Sequence, residues 1–292
     1  MGMSLHDLFI TPFADFGFMR RALVASLALG LGAGPVGVLL QLRRMSLVGD
    51  AMSHAILPGA AIGFLLAGGM SMTAMGLGGI VAGLGVALLS GLVSRLTRLS
   101  EDASFASFYL TSLALGVLIV SAHGSNIDLL HVLFGTILAI DTPTLCLMGG
   151  VTTVTLCILS VVWRPLVMEC VDPGFMRLVG GRGGACHMLF LFLVVLNLVS
   201  GFEALGTLMA VGMMMLPAAS ARLWTRRLWV MMTLAAAIAA LSGLGGLLLS
   251  FHCRMASGPT IILTCSLFYI FSLVLAPMGL ARRLFAPRMK RA

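Results

Sequence analysis

Apolar residues in this chain come in long unbroken runs, not in short alternations with polar ones. A helix needs about 20 such residues to cross a hydrocarbon layer of about 30 Å. Nine runs come near or reach that length: Ala22–Leu42, Leu47–Gly69, Thr73–Ser94, Ser104–Ala122, Pro143–Trp163, Ala185–Ser200, Ala204–Ala221, Leu228–Ser250 and Gly258–Met278. The sixth is short, and only "GFE" separates it from the seventh, so a tight hairpin is predicted there with Glu203 at its outer end. The first run follows Arg20 and Arg21 and is long enough to span, which fits an uncleaved anchor better than a signal peptide. The pattern predicts an all-α, polytopic integral membrane bundle of eight or nine helices. It forms one domain over residues 1–292, with its spans between about residues 22 and 278.

Composition agrees. Of 292 residues 60% are hydrophobic and 10% charged, against about 25% charged in a soluble domain. Mean hydropathy is +1.10. The 35 glycines suit closely packed membrane helices, and Gly30/Gly34, Gly59/Gly63 and Gly79/Gly83 have the spacing that lets two helices approach. Cys146, Cys157, Cys170, Cys186, Cys253 and Cys265 show no C-x-x-C spacing and read as small buried hydrophobes, not a disulfide frame.

The net charge of +8 would suit nucleic acid, but the positive residues sit in short loops between apolar runs. That distribution is a topology signal. Arg43 and Arg44, Arg95 and Arg98, Arg164, Arg177 and Arg182, and Arg222, Arg226 and Arg227 fall in alternate connections, and the tail carries Arg282, Arg283, Arg288, Lys290 and Arg291. These connections and the tail are therefore predicted to be cytoplasmic. Nine spans put the amino terminus outside. Arg20, Arg21 and Arg254 pull the other way, and eight spans would put it inside.

Two connections exceed simple turns. Residues 124–142 are amphipathic and predicted to lie outside as a re-entrant or interfacial helix. In the cytoplasmic loop 164–184, "DPGFMRLVGG" offers Asp172 as a cap, Pro173 at the first helical position and glycines at the end. This predicts a helix of about two turns, either a plain surface helix or a docking element.

The chemistry concentrates in "LVGDAMSHAILPG". Asp50 and His54 are spaced i, i+4 within the second span, on one helix face. An aspartate at a span centre costs about 2.5–3.5 kcal/mol on insertion scales, so such a residue is a functional candidate by default. Carboxylate and imidazole together are ligands for zinc, manganese or iron. Pro58 removes the hydrogen bond to the His54 carbonyl and can kink the helix, freeing that carbonyl towards an ion. The alternative is that Asp50 pairs with Arg43 or Arg44 and His54 bonds within the bundle.

Four segments carry a family resemblance. "LRRMSLVGDAMSHAILPGAAIGF" (Leu42–Phe64) resembles the signature of permease subunits of bacterial ATP-binding-cassette (ABC) importers for zinc and manganese. "HVLFGTIL" (His131–Leu138), "DPGFMRLVG" (Asp172–Gly180) and "GTLMAVGMMMLPAASARLW" (Gly206–Trp224) resemble the family's outer loop, ATPase-docking helix and apolar helix in turn. The resemblance implies a bacterial inner-membrane permease with Asp50 and His54 on the metal pathway. ATPase subunits would dock at Asp172, Pro173, Gly174, Phe175, Met176, Arg177 and Gly180. It also implies a periplasmic or lipid-anchored metal-binding protein and a second permease, identical or related. The transported metal is substrate, with no permanently bound cofactor. With six histidines and no histidine-rich loop, zinc, manganese and iron all stay open.

His123, Asp128 and His131 cluster near the outer surface, as candidate receivers of the ion or as ordinary loop polarity. His187, His252 and Cys253 read as interfacial. Lys290 is the sole lysine, so no G-x-x-x-x-G-K-[ST] phosphate loop exists, and ATP would be hydrolysed by a partner. The chain is not expected to be an enzyme: H-E-x-x-H and G-x-S-x-G are both absent. A carrier driven by protons or ions, with Asp50 as its coupling group, is the competing expectation.

Overall fold

A computed structural model describes residues 11–45, 48–68, 71–97, 100–122, 140–178, 181 and 183–279. Among them the chain is helical throughout, with no strand. The helices are α1 (Thr11–Asp15), α2 (Gly17–Leu42), α3 (Val48–Ala55), α4 (Leu57–Ala67), α5 (Met72–Leu96), α6 (Glu101–Ala122), α7 (Thr142–Val161), α8 (Trp163–Val171), α9 (Pro173–Leu178), α10 (Gly183–Leu205), α11 (Thr207–Trp224), α12 (Leu228–Cys253) and α13 (Ser257–Leu275).

Among the described residues eight segments are long and apolar enough to cross a membrane, α3 and α4 counting together as one. The expected run left out is the seventh, Ala204–Ala221, which corresponds to α11; that helix has 18 residues, carries Arg222 and buries much of its length in the bundle. The expected hairpin at "GFE" is displaced. Helix α10 continues through those residues to Leu205, and the chain turns at Gly206, whose φ of +87° is a conformation open to glycine.

Helices α2 and α10 form the centre. On one side α11 and α12 pack against α2, with α13 packed outside them on α11 and α12; on the other α3–α6 pack against each other, and α5 packs on α10. Polar side chains tie neighbours where apolar contact alone gives little direction in lipid. Thr152 of α7 donates to the Ala28 carbonyl of α2 at 2.8 Å, and Asn197 of α10 donates to Thr155 of α7 at 2.8 Å. Local sequence closes the helix ends. Asp141 accepts from the Thr144 N–H at 3.1 Å and caps α7. Hydrogen bonds from Thr144 hold the Asp141 carboxyl below its ordinary value.

The predicted pairs Gly30/Gly34 and Gly59/Gly63 bring backbones together, whereas Gly79 and Gly83 meet the side chains of Ile56 and Val195. Gly30 of α2 meets Ala239 of α12, and Gly59 of α4 lies backbone to backbone against Gly78 of α5. The ends assigned to the cytoplasm gather at one end of the bundle. Arg222 at the end of α11 donates to the Gln41 carbonyl at the end of α2 at 3.0 Å. Arg43 reaches α8 and α10, and Arg226 reaches Met278 beyond α13.

A Gly78→Val variant is expected to lose about 1–3 kcal/mol through overpacking against Gly59, read as a lower melting temperature of the detergent-solubilised protein. Gly85→Val, in open space on the same helix, should melt like the parent.

Candidate functional site

The second span is broken, as Pro58 predicts. Helix α3 stops at Ala55 and α4 starts at Leu57 with Pro58 in its first turn. Proline has no N–H, so the His54 carbonyl lacks its usual helical partner. Helix α6 splints the break. Ser112 donates to the Ala55 carbonyl at 3.0 Å, and Gly116 lets α6 lie against Pro58, where a Cβ would come within 3.1 Å of the proline nitrogen.

One face of α3 is buried through Val48, Ala51, Met52 and Ala55, and Gly49 sits beside Met214 and Met215 of α11. The other face presents Asp50 and His54. Their side chains are 71% and 36% exposed in the isolated chain, with Asp50 Oδ1 and His54 Nε2 4.0 Å apart. The His54 ring lies near-parallel to Tyr109 of α6, ring centroids 6.3 Å apart. Ser53 donates to the Asp50 carbonyl at 2.7 Å. The level of Gly49 beside Met215 puts this pair about two turns, roughly 10 Å, from Arg222 at the end expected to be cytoplasmic. An open carboxylate at that depth is costly against lipid, so this face belongs against water or another protein.

Arg43 does not serve as Asp50's counter-ion. It is buried in a second cluster that sequence reading missed. Its guanidinium lies 3.3 Å from Glu169 Oε1 of α8, contacts the Glu169 carbonyl and His187 Nδ1 of α10, and sits 5.5 Å from the Phe190 ring centroid. His187 Nε2 is 3.8 Å from Glu101 Oε1 of α6. The Arg43 and Glu169 side chains are 7% and 6% exposed and His187 is fully covered, so His187 is not the interfacial residue its position suggested. Removing one partner of such a buried pair typically costs about 3–5 kcal/mol. Burial pushes the adjacent Cys170 thiol up to about 11, which keeps it protonated and unreactive.

The short loop helix α9 also forms. Asp172 accepts from the Phe175 N–H at 2.9 Å, the cap its position predicts. Phe175, Leu178 and the nearby Val171 are exposed, whereas Met176 turns inward and is buried against Gly181. Gly174 is exposed too; the side chains of Pro173 and Arg177 and the whole of Gly180 lie outside the described residues, as do His123, Asp128 and His131. Among the described residues no group of three or more His, Cys, Asp or Glu is placed to hold a metal. Asp50 and His54 therefore form a two-ligand pair open on one side.

Comparison with known proteins places the chain in a family. The manganese import system permease protein ScaB of Streptococcus parasanguinis is 35% identical over 92% of this chain and 94% of its own length. The manganese transport system membrane protein MntC of Halalkalibacterium halodurans is 32% identical over 94% of this chain and 93% of its own. A solved structure, PsaBC from Streptococcus pneumoniae in complex with Fab, superposes with a TM-score of 0.81 at 31% identity, covering 94% of this chain and 98% of that one. Residues 15–276 match the model of the ABC 3 transport family, to which this chain belongs.

Proposed function

We propose that this chain is the membrane-spanning permease of an ABC importer in the bacterial inner membrane, that its cargo is manganese, and that Asp50 and His54 line the route. The observation that carries the reading is the outward-facing pair on a broken membrane helix, 4.0 Å apart. Bonds from a divalent ion to carboxylate oxygen or imidazole nitrogen run about 2.0–2.2 Å, so one ion touches both groups with little side-chain movement. Two protein ligands make a weak site, which suits passage: an ion must bind well enough to enter and loosely enough to leave. A second permease copy, related by a two-fold axis, would bring its own pair to the opposite wall.

Carboxylate with imidazole suits manganese, iron and zinc alike; the manganese relatives tip the choice to manganese. Docked ATPase subunits would grip α9 through Phe175 and Leu178, an exposed apolar patch on a helix too short to stand without its cap. A binding protein would deliver the ion from outside, and ATP-driven closure and release would switch the access side. The carrier driven by protons or ions gives way to this reading because the chain belongs to an ABC family.

Asp50→Ala and His54→Ala are each expected to abolish manganese uptake in a transporter-deficient strain while the protein still assembles; normal uptake by both would refute their role. Uptake of iron or zinc with no uptake of manganese would correct the cargo. Phe175→Glu and Leu178→Glu are expected to lose co-purification with the ATPase subunits. Met176→Ala should instead lower the melting temperature and leave co-purification in place.

A further inference from the structure

We propose that Arg43, Glu169 and His187 are positioning residues for transport: they form the joint that carries movement of α9 to the helix bearing Asp50 and His54. This rests on the reading of α9 as the ATPase-docking helix.

The argument is one of placement. Glu169 lies three residues before Asp172, the cap of α9, on the helix that leads into it. Arg43 closes α2, a few residues before α3 begins at Val48. Glu101, beside His187, opens α6, and α6 carries the Tyr109 that faces His54 and the Ser112 that holds the Ala55 carbonyl. Two chain routes out of the cluster, through the end of α2 and through α6, reach the Asp50–His54 helix, and a third, through α8, reaches α9.

Its chemistry favours transmission over simple stability. A buried ion pair is often no more stabilising than apolar residues of the same volume, but it fixes a geometry. The planar guanidinium holds several partners in set directions at once, which an ammonium does not. Here one guanidinium contacts the Glu169 carboxylate, its backbone carbonyl, His187 and the face of Phe190. Gly183, at the start of α10, leaves the room the Glu169 carboxylate occupies; any side chain there would run into it. A pull on α9 therefore moves α8, Glu169 and Arg43 together.

The test uses the assembled complex, permease with its ATPase subunits, in proteoliposomes with the binding protein and Mn2+. It reads ATP hydrolysed, manganese accumulated and the ATPase retained on purification. Glu169→Gln is expected to keep the ATPase bound and hydrolysing while manganese accumulated per ATP falls about tenfold, the scale of a typical coupling between sites. Glu169→Asp should recover part of that ratio. If Glu169→Gln does not fold, Arg43→Lys, which keeps the charge but loses the planar fork, is read the same way. An unchanged ratio of manganese to ATP, whether both activities stay normal or fall in proportion, overturns the joint. Failure of the docking reading shows separately, as ATPase retention that is unaffected by Phe175→Glu and Leu178→Glu.

Discussion

An acid and an imidazole inside a hydrocarbon span need polar company, and the rest of this structure can be read from how that need is met. Asp50 is not neutralised by Arg43, which is committed to Glu169 and His187. Its neighbour is His54, one turn on, and the face they share is open. A soluble protein would leave such a pair to bulk water. In a membrane the same exposure demands a wetted route or a second protein surface, and that demand turns a local spacing into a statement about assembly.

The two polar clusters divide the work by burial. The Asp50–His54 pair is open on one side. The closed cluster near the cytoplasmic end has almost no exposure and many mutual contacts. The first suits a passenger that must leave, and the second suits parts that must keep their relative positions. Tightly packed glycine contacts, such as Gly59 against Gly78, set the helices around both at backbone distance.

Features set by near neighbours in sequence were legible. The Asp172 cap, the break before Pro58 and the shared face of Asp50 and His54 each depend on residues within one or two turns, and each appears in the structure. The hairpin was misplaced because "GFE" continues a helix comfortably while a single glycine beyond it can take a positive φ. That Met176 is buried while Phe175 and Leu178 are exposed was not legible, since a six-residue helix has no periodicity long enough to reveal its faces. The Arg43 cluster was hidden for a different reason. Its partners lie 126 and 144 residues away, and an arginine after an apolar run looks the same whether it faces water or folds back into protein.

The splint that α6 lays along the broken span has an evolutionary consequence. Tyr109, Ser112 and Gly116 recur along one side of α6 and touch the His54 ring, the Ala55 carbonyl and Pro58 in turn. The imidazole and the break beside it are thus held from a helix that contributes neither member of the pair. On the proposed ion route, drift at those three positions would reshape the site while Asp50 and His54 themselves stayed the same. Selectivity would then reside in the scaffold behind the pair, where a comparison of the pair alone would find no difference.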